Sequence, residues 1–181
     1  MLKFFLKPKR KAAYATMLFV TFATIFYFFR LDSLTQSAPL FLFYFVLIIN
    51  TYFSIRLFSS ITPHVIMSQH AIDVFLVIIM SVLAYYLNNP TKFIVWVLFL
   101  FIFATIKYAI LLGKIPHLLL LRKKILVDLS GAAASAITLY FTLTSNVMAS
   151  VWIYTVCFII ANIYLTLVNP LYMIIDNLES K

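Results

Sequence analysis

The chain has 181 residues, of which 65% are hydrophobic and 10% charged. A soluble domain carries roughly 25% charged residues, so composition excludes a water-soluble globular fold and requires most of the surface to face lipid or other apolar helices. The net charge of +9 has no soluble segment to present it, which argues against a nucleic-acid partner and for topology signals that also attract anionic lipid headgroups.

The first apolar run, 12–30, follows Lys3, Lys7, Lys9, Arg10 and Lys11. It is too long and Phe-rich for a cleavable leader, and Arg30-Leu31-Asp32 after it is no small-residue cleavage site. Five further runs, 40–59, 69–88, 92–112, 125–144 and 148–168, approach the ~20 residues that cross a bilayer core. Proline punctuates them. Pro8, Pro63, Pro116 and Pro170 recur at gaps of 55, 53 and 54 residues. Thr62-Pro63 and Asn169-Pro170 each place an N-cap residue before a Pro at the first helical position. Pro39 and Pro90 are expected to start helices on the opposite side. The helix opened by Pro63 is expected to reach Leu87, and the one opened by Pro116 to reach about Thr144. Both exceed the hydrocarbon thickness and should tilt or project. Leu171–Lys181 reads as a short amphipathic tail.

The expected fold is therefore all-α. It is a polytopic membrane protein of six transmembrane helices in three hairpins, about 8–62, 63–115 and 116–169, with a tail at 170–181. Loops 31–39, 88–91 and 145–147 are short and polar, with Arg30 and Lys92 beside them. The other side gathers 11 cations when Arg56 and Lys181 are counted, including Lys114, Arg122, Lys123 and Lys124 in the 113–124 loop. The positive-inside rule places both termini in the cytoplasm.

An internal pseudo-repeat goes further than proline. Asp73 and Asp128 are each followed twelve residues later by Tyr (Tyr85, Tyr140), Trp96 matches Trp152, and Ala104-Thr105-Ile106 matches Ala161-Asn162-Ile163. The first hairpin has Asn50-Thr51 in the fitting place and lacks the Asp. Triplication competes with chance similarity among few residue types. The fixed acidic and basic positions of the mitochondrial three-hairpin carriers are not present.

Intramembrane charge locates the candidate site, since such a charge costs roughly 2.5–3.5 kcal/mol on insertion scales. Arg56, Asp73, Lys107 and Asp128 sit in or at the edge of spans, all toward the basic end. Helix succession predicts two ion pairs, Arg56–Asp73 and Lys107–Asp128, one at each junction between hairpins. Such pairs fix hairpin packing, or they line a cytoplasmic-facing cavity for an ion or small polar solute together with Asn162. Asn50, Thr51 and Thr105 extend the same surface or act as interhelical glue. Span 5 carries Gly131/Ser135 and Ala132/Ala136 at small-xxx-small spacing and is expected at the centre of the bundle. The 19 Phe are expected to be mostly lipid-facing. The single Cys157 leaves no disulfide or Cys-based metal site, and His64, His70 and His117 read as solvated loop-edge residues.

Enzyme signatures are missing: there is no nucleophile with a base at known spacing, no Gly-rich phosphate loop and no His/Glu metal motif. No cofactor or metal is implied. The leading expectation is a small membrane transport or permeation protein, or a membrane subunit of a transporter, with a cavity lined by Asp73, Lys107, Asp128, Asn162 and Arg56. The alternatives are a non-transporting sensor, assembly factor or accessory subunit, and a lipid-handling protein. Expected partners are the bilayer, anionic headgroups and a second membrane protein or another copy of the chain. In size and span count the chain is similar to the substrate-binding membrane subunits of energy-coupling-factor vitamin transporters, which are richer in Gly.

Overall fold

The computed structural model describes residues 8–30, 34–61, 67–114 and 118–168. Among them are six helices: α1 (Pro8–Arg30), α2 (Leu34–Ile61), α3 (Met67–Tyr85), α4 (Pro90–Leu112), α5 (Leu118–Thr144) and α6 (Val147–Ile163). A π-helical turn, Tyr164–Val168, continues α6. Four segments are long and apolar enough to cross a bilayer: Ser37–Ile61, Pro90–Leu112, Leu119–Thr144 and Val147–Leu167. They mark the chain as a membrane protein. Large apolar side chains are exposed on every helix, among them Phe28, Leu119, Ile153 and Leu143. An all-helical fold with apolar residues on both its inner and outer faces suits lipid, where every backbone group must be paired within its own helix.

The helix starts that fall on described residues follow from local chemistry. Asn89 caps α4, its side chain accepting from the Lys92 N–H at 3.1 Å, with Pro90 in the first turn. Asn146 caps α6 by accepting from the N–H groups of Met148 and Ala149. Asn at a cap and Pro just inside satisfy or remove the orphan donors of a first turn. Pro39 behaves differently from the expectation. It lies inside α2, which already runs from Leu34, so 34–39 is helix and not loop. The Pro39 carbonyl accepts from the buried Thr155 hydroxyl of α6 at 3.1 Å, a hydrogen bond that joins the two helices. Pro63, Pro116, Pro170, the caps Thr62 and Asn169, the exit Leu31-Asp32, His64, His117 and the tail 170–181 lie outside the described residues.

Hydroxyls within the helices fold back onto their own backbone. Thr16, Thr24, Ser81, Thr105 and Thr138 each donate to the carbonyl four residues earlier. This satisfies a polar group without a partner helix.

The bundle is built around α4, which packs against α2, α3, α5 and α6. The contact of α4 with α5 is the most extensive in the fold, and α5 touches α4 and α6. The central helix is thus α4 and not α5. The small face of α5 divides accordingly. Ala132 and Ser135 are buried, Ala133 and Ala136 are exposed, and Gly131 meets the Phe101 ring of α4 so closely that a Cβ there would lie 2.8 Å from it.

Aromatic rings do the interior packing that small residues do elsewhere. Phe43 of α2 stacks on Phe158 of α6 at 4.0 Å between centroids and on Tyr154 at 5.1 Å, and meets Phe93 of α4 edge-on. The Phe residues divide between core and surface: Phe19, Phe43, Phe58, Phe93 and Phe101 are buried, whereas Phe28, Phe45 and Phe75 are exposed. Among polar contacts across helices, the Tyr44 hydroxyl donates to the Met80 carbonyl, and Ser135 pairs with Tyr154 at 2.7 Å.

Candidate functional site

A cavity of about 330 Å³ opens among α1 to α5, at the end where α1 begins, α2 ends and α3 begins. Part of its wall is apolar: Phe19 from α1, Leu47 from α2, Met80 from α3, Leu100 and Phe101 from α4. The rest is largely polar. Asn50, Thr51, Ser54 and Ser59 come from α2, Gln69, His70 and Asp73 from α3, Lys107 and Tyr108 from α4, Lys124 and Asp128 from α5. Lys11 of α1 stands exposed at the rim.

Two ion pairs organise the polar half. Lys107 Nζ donates to Asp73 Oδ1 at 2.5 Å, joining α4 to α3; the lysine side chain is 15% exposed and the aspartate 35%. Lys124 Nζ donates to Asp128 Oδ1 at 2.6 Å within α5, and these side chains are 5% and 1% exposed. The Tyr108 ring lies between the pairs, 5.9 Å from the Lys107 ammonium and 5.5 Å from that of Lys124. Its back rests on Phe58 at 4.4 Å. The Gln69 amide donates to the Lys107 carbonyl at 3.5 Å. The charge of Lys107 also acts on Asp128, so the four groups form one electrostatic cluster.

The partners differ from those expected. Lys107 pairs with Asp73, not with Asp128, and Asp128 pairs with Lys124. Helical side chains lean toward the N-terminus of their own helix. In the antiparallel α3 and α4 the lysine therefore leans away from the basic end and the aspartate toward it, and the two meet. Asp128 takes its cation from one turn earlier on the same helix, at the four-residue spacing that makes helix side chains neighbours. Lys124 belongs to α5 and is buried rather than part of a solvated loop.

Of the five candidate residues, Asp73, Lys107 and Asp128 line the cavity, and Arg56 and Asn162 are not among the lining residues. Asn162 donates to the Phe158 carbonyl on its own helix, and Thr105 likewise bonds to Phe101. Asn50 and Thr51 do line the cavity. Lys124, Gln69, Ser54 and Tyr108 were missed. The signal for Lys124 was present in the sequence as a Lys-x-x-x-Asp spacing within a helix that reaches Thr144. Among the described residues, no group of three His, Cys, Asp or Glu side chains is placed to hold a metal. Comparison with protein-family models, characterised proteins and solved structures finds no match to this chain.

Proposed function

We propose that the chain is a small transport or permeation protein of six spanning helices in three hairpins, or the membrane subunit of such a system, and that the cavity between α1 and α5 is its solute-binding chamber. The observation that carries this reading is two ion pairs, Lys124–Asp128 buried and Lys107–Asp73 half-buried, bordering an open, part-polar cavity inside an otherwise apolar bundle. Packing alone gives four intramembrane charges no reason to border a cavity. Charges kept in a membrane interior ordinarily mark a substrate or ion path.

Six spans are supported by the two helices that fall short of the length and hydropathy test. α1 packs on α2 and α3, and α3 packs on α4. At one end Lys11, His70 and Asp73 share the cavity, and at the other Phe26 of α1 meets Tyr85 of α3 at 5.4 Å. Both helices thus run alongside α2 and α4. The proposed repeat rests on the sequence spacing; Gln69 and Asp73 on α3 and Lys124 and Asp128 on α5, each four residues apart, all line the cavity. The basic end, by the positive-inside rule, faces the cytoplasm.

Transport requires that the chamber open to both sides in turn. The test is a Ser54→Cys variant in a Cys157→Ala background, labelled with a membrane-impermeant thiol reagent in vesicles of each orientation. Labelling from both sides is expected. Labelling from the basic side alone, under all conditions, would replace transport with a fixed receptacle, as in a sensor or accessory subunit.

A further inference from the structure

The chemical class of the solute, given the chamber reading above, can be read from the polar atoms that the wall leaves open. Asp73 stands in the middle of the strip that α3 turns to the cavity: Gln69, His70, Leu76, Val77 and Met80, at helical spacing on either side of it, line the cavity too. Its Oδ1 accepts from Lys107, whereas its Oδ2 accepts from none of the described residues and, on a side chain that is 35% exposed, is not enclosed. On α2, Thr51 and Ser59 line the cavity about two turns apart. Ser60 beside them folds back onto its own helix. The hydroxyls of Thr51 and Ser59 bond to none of the described residues, and neither is enclosed. Polar atoms without a protein partner, open to a part-apolar cavity, are where the donors of an occupant can bond. The charges, by contrast, disfavour an ion. Lys124 and Asp128 enclose each other, and Lys107 already neutralises Asp73. The lining as a whole holds three lysines, with Lys11 at the rim, against two aspartates, and His70 adds no negative charge. A cation would meet this positive excess. An anion would be brought against the open Asp73 oxygen or would have to take Lys107 from it. Either is unfavourable in a site of low dielectric.

We propose that the occupant is an uncharged molecule with N–H donors on an apolar body, of the class of aromatic and aliphatic carboxamides. Its N–H group donates to Asp73 Oδ2, the hydroxyls of Thr51 and Ser59 bond to its polar end, and its body lies against the apolar part of the wall, which includes Leu47, Met80 and Phe101. The cavity of about 330 Å³ is at the small end of the ~300–1,000 Å³ of small-molecule sites, which suits a solute of this size and not a two-chain lipid.

The test uses the full-length protein in mild detergent and reads thermal unfolding. Benzamide is compared with benzoate and benzamidine, which keep its shape and change its charge, and with N,N-dimethylbenzamide, which lacks its donors. Hexanamide, hexanoate, hexylamine and N,N-dimethylhexanamide repeat the series on an aliphatic body. At least one primary amide is expected to raise the midpoint with a Kd at or below about 1 mM, and its charged and dimethylated counterparts to bind at least about tenfold more weakly. Asp73→Asn takes the negative charge from the open acceptor and leaves Lys107 without its counter-charge, so it should weaken the amide and bring the carboxylate to at least equal affinity. Should that variant not fold, the series on the unaltered chain decides the matter. A carboxylate binding as tightly as its amide would make this an anion site, and an amidine or amine doing so a cation site. A dimethylated amide doing so would make it a site that reads no donor. Any of these, an unchanged preference in folded Asp73→Asn, or no shift with either amide, overturns the proposal. Two-sided labelling of Ser54→Cys alongside such a failure removes only the carboxamide class. One-sided labelling alongside amide binding removes only transport.

Discussion

Two aspartates on one cavity wall stand in unequal surroundings, and substitution should reveal it. Asp128 and Lys124 are almost fully enclosed, while Asp73 remains 35% exposed. Removing one member of a buried pair strands the other charge, at about 3–5 kcal/mol. Lys124→Met or Asp128→Asn should lower unfolding stability in mixed micelles by that order, and the double variant Lys124→Met/Asp128→Leu should recover most of it. Asp73→Asn, whose partner keeps access to the cavity, should cost roughly 1 kcal/mol. Equal losses at Asp73 and Asp128 would show that burial does not govern the cluster. At this scale the sequence identified the charged residues that matter, because an intramembrane Asp or Lys stands out against apolar neighbours. It did not identify their bonds. Pairing by helix succession ignored the lean of side chains toward their helix start, and it left Lys124 in a loop although Asp128 lies one turn further along the same helix.

At the scale of the element, α5 and α6 show how a Gly-poor bundle achieves contact. Gly131 is where α5 admits the Phe101 ring, and a methyl group would meet three of its carbons within 2.9 Å. Gly131→Ala should therefore push the ring toward the cavity that Phe101 lines and destabilise by about 1–3 kcal/mol through overpacking. Adding Phe101→Leu should relieve most of that loss in thermal unfolding, whereas an unrelieved loss would point to helix backbone as the cause. On α6, the hydroxyl of Thr155 ties the helix to the Pro39 carbonyl of α2. Thr155→Val, which keeps the shape, should cost about 0.6–1 kcal/mol, in the range of interhelical hydrogen bonds in membranes. Thr155→Ser, which keeps the hydroxyl, should cost less. The small-residue stripe of α5 was legible in the sequence; its partner was not, because periodicity names a face without naming what covers it. Pro39 was misplaced as well. Proline near a run of apolar residues reads as a helix start, yet α2 begins a turn earlier, at Leu34.

For the whole molecule, the proposed six spans add α1 and α3 to the four helices long and apolar enough to cross a bilayer. α3 is 19 residues long, about 28 Å at 1.5 Å per residue, close to the ~30 Å hydrocarbon thickness. α1 opens with Lys9, Arg10 and Lys11, where charge belongs at a cytoplasmic interface, and residues 12–29 after them hold no charged side chain. The opposite end carries the matching features: Lys92 lies over the Tyr86 ring at 5.4 Å, and Trp96 and Trp152 stand near the starts of α4 and α6. The starts of α4 and α6 were legible to within two residues, because long apolar runs and capping Asn residues are local signals, and those of α2 and α5 were placed six and seven residues late; the cavity arises only from how five helices lean together. Single cysteines at exposed Lys9, Ser60, Asn88, Lys114 and Ser145 in the Cys157→Ala background separate the two counts. With six spans, an impermeant reagent applied to intact cells reaches Asn88→Cys and Ser145→Cys. It reaches Lys9→Cys, Ser60→Cys and Lys114→Cys only after permeabilisation. Ser60 and Asn88 labelling from one side would remove α3 as a span, and Lys9 labelling opposite to Ser60 would remove α1. Either result would also empty the chamber reading of meaning, since a wall that contributes Asp73 or Lys11 would then lie outside the bilayer.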